Sequence, residues 1–448
     1  VSCWNRRSRR TLAALATTGL LIAPLSAQAA YAADTPSPST SASQNADDTG
    51  FPQLTPEVAR KLDRVLRETM RTTKVPGAIV GLWAPGKGSY VKTFGFSNVP
   101  PPSGRTPGAA PAATPEPMST DFYSRIGSLT KTFTVTALLE LVDQGKISLD
   151  DPISKYYTDL PAGSKTTLAD LDKITIRDLA GMRSGLYSYS FDPGFQQAFF
   201  TDPDRPFTPQ ELLDYAWKHP VMSPPNKEFF YSNTNLILLG LVVEKLTGRP
   251  LQDVIKDDVT DPAGMNRTSF PTDAAFPSPH PQGYTNQTLS GQVEDTTDWN
   301  PSWGWAAGAM ISTLDDLHTW AKVMATGVLP NGNRLISKET QKQRLTTPPT
   351  TIPGAGYGLG IFNVQGWIGH NGSLPGYEAL AMYLPEADAT MVVLLNTDIL
   401  VDGVHEPSTL FGQAITQVVT PNHVYFLPAG NAASASASPT TPKSPGPR

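Results

Sequence analysis

The sequence predicts an α+β fold: an antiparallel sheet flanked by N- and C-terminal helices, with a mostly helical subdomain inserted between its two parts. Three observations predict it. A helical pattern and a hairpin pattern stand early in the body of the chain. Four strand-like segments and a closing helix stand late. Between them run short helical patterns and long Pro-rich connections with little alternation, and no internal repeat is found. Of 448 residues, 39% are apolar and 17% charged, enough apolar content to bury a core.

The ends read differently from the body. Residues 1–33 are expected to be an export signal. Arg6, Arg7, Arg9 and Arg10 form a positive start, and Leu12 to Leu25 is a short apolar run. Ala27-Gln28-Ala29 or Ala30-Tyr31-Ala32 offers a cleavage site. Ser8-Arg9-Arg10-Thr11-Leu12 also resembles a twin-arginine signal, so a Sec or a twin-arginine route fits equally. The expected location is secreted or extracellular. Residues 34–50 read as a flexible linker and 429–448 as a disordered tail. No apolar run of transmembrane length follows the signal, so no membrane anchor is expected after cleavage. The remaining 51–428 reads as one domain, with an α/β part at about 51–140 and 300–428 and a helical part at about 141–299.

Within the body, Thr55-Pro56-Glu57 is a helix start: a capping hydroxyl, a first-turn proline and an acid near the positive end of the dipole. Val58, Leu62, Val65, Leu66 and Met70 then share one face, and Val75-Pro76-Gly77 stops the helix. Ala78–Trp83 and Ser89–Phe96, joined at Pro85-Gly86-Lys87-Gly88, predict a hairpin. Residues 99–118 predict a surface loop. Ser128–Val142 is apolar on most faces and predicts a central, buried helix ended by Gly145. Leu236–Leu246 predicts another, stopped at Thr247-Gly248-Arg249-Pro250. The late strands are expected at Tyr357–Phe362, Trp367–His370, Glu378–Leu384 and Thr390–Asn396, before a closing helix at Pro407–Val419.

Charge and cysteine narrow the chemistry. Lys plus Arg is 35 and Asp plus Glu 40, a net charge of −5, and four of the cations lie in the export signal. The body is therefore acidic, which argues against nucleic acid or an anionic membrane as the main partner. The single cysteine, Cys3, permits no intrachain disulfide and no Cys-rich metal site. The six histidines are scattered, and no His-Glu-x-x-His, phosphate loop or Gly-x-Ser-x-Gly elbow occurs. No metal and no cofactor are expected.

Three short motifs can carry chemistry. Ser128-Leu129-Thr130-Lys131 places a hydroxyl at a helix start, with a free backbone N–H beside it for an oxyanion. Lys131 lies one turn on, on the same face, where a buried amine can serve as base. A lone cation in an apolar helix is costly, so a structural role explains it poorly. The same spacing recurs at Ser89-Tyr90-Val91-Lys92, but in a predicted strand, where residues three apart face opposite sides. Tyr231-Ser232-Asn233 enters the helix of Leu236–Leu246. Tyr231 could move a proton and Asn233 could hold a substrate amide, although a buried aromatic and a helix cap explain both as well. Tyr284-Thr285-Asn286 is a weaker copy in a loop. His370-Asn371-Gly372 ends a predicted strand. Gly372 would let a ligand approach the backbone, and the N–H of Ser373 could supply a second oxyanion donor. Alone, such a histidine is more often structural.

Together these motifs resemble the penicillin-recognising serine acyl-transferase superfamily, closest to its class C β-lactamases, actinomycete-type D-alanyl-D-alanine carboxypeptidases and related carboxylesterases. The order is that family's: Ser-x-x-Lys, Tyr-x-Asn, then His-x-Gly in place of Lys-Thr-Gly. Arg125-Ile126-Gly127, Arg183-Ser184-Gly185-Leu186, Ala306 to Thr313 and Gly356-Tyr357-Gly358-Leu359-Gly360 are similar too. The resemblance covers about residues 55–420 and implies a β-lactamase/transpeptidase-like fold. It implies Ser128 as nucleophile, Lys131 and Tyr231 sharing base work, and Asn233, His370 and Gly372 contacting substrate. Backbone N–H groups of Ser128 and Ser373 would form the oxyanion hole. The implied substrate is a small peptide or acyl compound, with peptidoglycan stem peptides and β-lactams as candidates, and the expected state is a monomer.

Two departures stand out. Met182 replaces a histidine frequent in relatives. Phe362 stands where some D,D-carboxypeptidases carry an arginine for the substrate's terminal carboxylate, unless Arg125 or Arg183 substitutes. The leading expectation is a D,D-carboxypeptidase acting on cell-wall peptides. A carboxylesterase or a class C-type β-lactamase on the same scaffold is the alternative, and a silent binding protein is disfavoured by the intact motifs.

Overall fold

The computed structural model describes residues 50–99 and 114–427. The expected export signal, nearly all of the linker, the C-terminal tail and the middle of the 99–118 loop lie outside the described residues.

Helix α1 (Pro56–Thr73) starts as its sequence requires: the Thr55 hydroxyl accepts from the Val58 N–H and Pro56 takes the first turn. It ends at Lys74 in the left-handed conformation, whose N–H bonds the Met70 carbonyl. Strands β1 (Gly77–Ala84) and β2 (Gly88–Gly95) follow as the expected hairpin. The central helix α2 (Thr130–Asp143) is buried on nearly all sides. Its threonines avoid a buried-polar penalty by bonding carbonyls: Thr132 to Leu129, Thr136 to Thr132 and Thr134 to Ala306. Helix α3 (Asn233–Thr247) packs against α2 and ends at Gly248, and α4 (Leu314–Thr326) ends the same way at Gly327.

The second half supplies β3 (Ala355–Tyr357), β4 (Phe362–Val364), β5 (Trp367–Leu374), β6 (Tyr377–Leu384), β7 (Ala389–Leu395) and α5 (Pro407–Val419). They join the early hairpin in one seven-stranded sheet of order β2-β1-β7-β6-β5-β4-β3, and every pairing is antiparallel. Both faces are covered. Helices α1 and α5 lie on one, and α4 with the Gly127–Leu129 turn lies on the other. Strands β6 and β7 are buried at every position for that reason, and so read as apolar runs broken only by Glu378 and Thr390.

Two strand expectations are corrected. Tyr357–Phe362 is not one strand: the chain turns between β3 and β4, with Gly360 left-handed against Val135. His370 does not end its strand either, because β5 runs on to Leu374. The apolar alternation was read as stopping at the polar His370-Asn371, whereas pairing with β6 continues through both residues.

The α5 layer has a direct test. Leu380 is fully buried on the α5 side of β6, close to Gly412. Leu380→Ala is expected to cost about 2–5 kcal/mol in denaturant unfolding, with little change in the slope.

Candidate active site

The site forms where the edge of the sheet meets the start of α2. Ser128 lies in the 3-10 turn Gly127–Leu129 that leads into α2, so its N–H precedes any intrahelical acceptor. Opposite stands β5. Leu374 and Tyr377 close a two-residue turn as a hydrogen-bonded pair, so Ser373 and Glu378 form the next, non-bonded pair. The Ser373 N–H therefore points away from β6. Strand β4 pairs with β5 only as far as Gly369, which leaves this N–H on an open edge.

Two glycines bring the halves together. Gly127 has φ +51°, and a Cβ there would lie 2.8 Å from the Ser373 nitrogen. A Cβ on Gly372 would lie 2.0 Å from the Ile126 carbonyl oxygen and 2.9 Å from the Ser128 nitrogen. The N–H groups of Ser128 and Ser373 thus border one backbone-to-backbone contact, the layout of an oxyanion hole.

Lys131 is fully buried and donates to the Ser128 Oγ and to the Ala307 carbonyl, both at 2.8 Å. Among the described residues no carboxylate pairs with it, and burial holds its pKa well below the ordinary lysine value. Burial thus favours the uncharged amine, the form that can accept a proton from a neighbouring hydroxyl. Tyr231 packs its ring 4.9 Å from the Lys131 Nζ. Burial pushes its phenol upward, opposed by a hydrogen-bond interaction with Ser128, so it stays protonated. It can relay a proton but is a poor standing base.

The other expected residues lie close by but not all at the surface of the site. Asn233 is the first residue of α3, whose cap is Ser232, and its Nδ2 donates to Ser190 at 3.2 Å. Its Oδ1 has no partner. His370 is fully buried below the strand edge, between the Tyr357 hydroxyl at 3.1 Å and the Asn371 carbonyl. Burial above all pushes it down to about 3, so it is neutral at physiological pH. It offers support to the strand rather than a surface for substrate. Phe362 packs on that ring at 5.0 Å and is buried, out of the cleft. The weaker copies stay apart: Tyr284 bonds Val99 and Gln282, and Ser89 and Lys92 lie on β2.

A small cleft opens at Ser128. Tyr231, Gly372 and Ser373 line it. So do residues that sequence reasoning missed: an aromatic wall of Phe195, Phe199, Phe200 and Trp303, together with Ser190, Asn371 and Glu406. The Asp192-Pro193 helix start signals the element that carries the three phenylalanines. No local signal marks Ser190 or Glu406.

A serine paired with a buried lysine and faced by two backbone donors is the site of a serine acyl hydrolase. A family model described as Beta-lactamase matches residues 62–410, and the chain belongs to that family. Protein flp of Staphylococcus aureus (strain MW2) is 25% identical over 349 residues, covering 77% of this chain and 64% of that protein. The match thus spans less than two thirds of that relative. Among solved structures, a D-stereospecific amidohydrolase from Streptomyces sp. is 30% identical, with a TM-score of 0.64, covering 76% of this chain and 94% of its own. The D-amino acid amidase of Ochrobactrum anthropi SV3 is 24% identical with a TM-score of 0.66, covering 81% and 98%, and shares the fold. Among the described residues no helix is long and apolar enough to cross a membrane.

Two outcomes follow from this geometry. Gly372→Ala should push β5 off the Ser128 turn and lower kcat about a hundredfold, with far-UV circular dichroism unchanged. The carboxyls behind the site set a pH dependence of stability. Burial, against the Asn371 bond and with the Asp398 charge, raises Glu406 to about 7. Burial and Glu406 raise Glu378 as well. A raised acid stabilises the fold fully below its unfolded value and loses that contribution as pH rises through its folded value. Thermal melts should therefore begin to drop above about pH 4.5 and keep falling through about pH 7, and Glu406→Gln should shrink the drop.

Proposed function

We propose that this chain hydrolyses amide bonds of small D-configured substrates through an acyl-enzyme on Ser128. The Ser128–Lys131 contact carries the reading, because it joins a hydroxyl to an amine whose uncharged form burial favours. Lys131 takes the proton as Ser128 Oγ attacks the carbonyl carbon. The N–H groups of Ser128 and Ser373 hold the developing oxyanion. Tyr231 relays the proton to the departing nitrogen, and then assists the water that cleaves the ester. Asn233, acting through Ser190, and His370, beneath β5, hold the walls in place. The D configuration is supported by the 30% identical amidohydrolase, whose description names that stereochemistry. Among the described residues no lysine or arginine lines the cleft to grip a free terminal carboxylate.

A D,D-carboxypeptidase is the second reading, and one observation favours it. Arg125 is buried with its Nε and Nη1 unpartnered. It lines a small side pocket that shares Phe199, Trp303, Leu374 and Pro375 with the cleft. An esterase or a β-lactamase uses the same acylation step and differs in substrate and in deacylation rate. The export-like leader supports action outside the cell, where peptidoglycan stem peptides would be at hand.

The deciding assay compares D- and L-phenylalanine amides with a D-alanyl-D-alanine peptide, using the wild type and Ser128→Ala. Cleavage of the D-amide at least about a hundredfold faster than the L-amide, abolished in the variant, is the expected result. Release of D-alanine without amide cleavage would transfer the conclusion to the carboxypeptidase. A fluorescent penicillin that labels the wild type and not Ser128→Ala would identify the acylated residue in either case.

A further inference from the structure

We propose that Glu406 is a cation-binding subsite of the cleft and selects substrates that carry an ammonium group. This deepens the amidohydrolase reading and rests on it.

Glu406 lines the same cleft as Ser128. It immediately precedes α5, where a carboxylate ordinarily bonds the first free N–H groups of the helix. Its side chain makes no such bond. It turns instead to the sheet edge, and its Oε2 accepts from the Asn371 Nδ2 at 2.8 Å. Among the described residues this is the only side-chain partner of the carboxylate, and Asn371 thereby fixes one oxygen while leaving the other for a ligand. Glu406 is only 7% exposed.

The surroundings make this position costly without a cation. Glu378 lies behind it on β6, its Oε2 taken by the Ser408 N–H and its Oε1 unpartnered. Asp398 adds a third carboxyl, held by the Gly376 N–H and the Gln287 side chain. The cleft itself contributes no lysine or arginine. Carboxyls desolvated together favour a bound monocation, because its charge offsets both desolvation and mutual repulsion. The raised pKa of Glu406 agrees with a group short of such a partner.

The spacing suits a small substrate. Asn371 and Ser373 lie two residues apart on one strand and on one face, about 7 Å along it. A carbonyl oxygen at the Ser373 N–H can thus belong to a molecule whose ammonium reaches Glu406. Phe195, Phe199 and Trp303 offer an apolar wall for its side chain. The fitting class is a small aminoacyl amide with a free ammonium and an apolar side chain. The same charge disfavours a substrate with a carboxylate at that position.

The test compares an apolar D-aminoacyl anilide with its N-acetylated form, in the wild type and in Glu406→Gln. The wild type should prefer the free amine, and the ratio of the two kcat/KM values should fall about tenfold or more in the variant, as for loss of a charge-assisted bond. An unchanged ratio overturns the subsite while leaving the amidohydrolase reading intact. If the wild type cleaves neither anilide but releases D-alanine from peptides, both fall. A second measurement needs no variant. Benzylammonium should inhibit the wild type about tenfold more strongly than benzyl alcohol, and equal inhibition overturns the proposal.

Discussion

The site depends on one contact: the backbone of β5 resting on the backbone of the turn that starts α2. No side chain separates Gly372 from Ile126 and Ser128, or Gly127 from Ser373. The contact is possible because both residues lack a Cβ, and because Gly127 adopts a left-handed φ that other residues resist. The two oxyanion donors come from chain segments about 245 residues apart, on different elements. Their spacing is therefore set by how the sheet docks on the helical part. Every strand that fixes the position of β5, from the β1–β7 pairing inward, contributes to it. A sheet buried on both faces is a rigid support for such a task.

Around that contact, electrostatics are arranged by burial more than by ion pairing. Lys131 has no anion, His370 lies under the strand edge between a phenol and a carbonyl, and Tyr231 is kept a phenol. Loss of water favours the uncharged form of each group. A neutral set can exchange protons without first separating a salt bridge, which suits a proton passed between Ser128, Lys131 and a leaving group. The neutral His370 leaves this edge less attractive to anions than a permanent cation would.

Elements whose signals are local were legible in the sequence. Helix α1 follows from Thr55-Pro56, the first hairpin from its Gly-rich turn, and α5 from Pro407. The pairing of Ser128 with Lys131 was legible because helical periodicity alone puts them on one face, and the rival at Ser89 was rejected by the same rule. What failed was non-local. Gly360 bends the chain between β3 and β4 because Val135 of α2 lies against it, which no window around Gly360 reveals. The continuation of β5 through His370-Asn371 depends on pairing with β6. Asn233 could be read as a helix cap, yet Ser232 is the cap and the Asn233 side chain bonds Ser190, 43 residues earlier.

Glu406 shows the same limit from the other side. An acid just before a proline at a helix start reads as a dipole-compensating residue, and nothing nearby contradicts that reading. The structure gives the helix its start without that carboxylate, since Pro407 needs no N–H partner and the Ser408 N–H goes to Glu378. The Glu406 side chain is thereby released from a local duty and drawn to Asn371, 35 residues away and in the strand that borders the nucleophile. A buried residue freed from the role its neighbours suggest, and lining the same cleft as Ser128, is poorly explained by stability, because removing its charge should ease the fold at high pH. Its position makes better sense as a determinant of what the cleft accepts. In this chain the placement of Ser128 and of the Ser128 and Ser373 N–H groups is set by backbone geometry, while the one carboxylate bonded to the same strand is held by a side chain, Asn371.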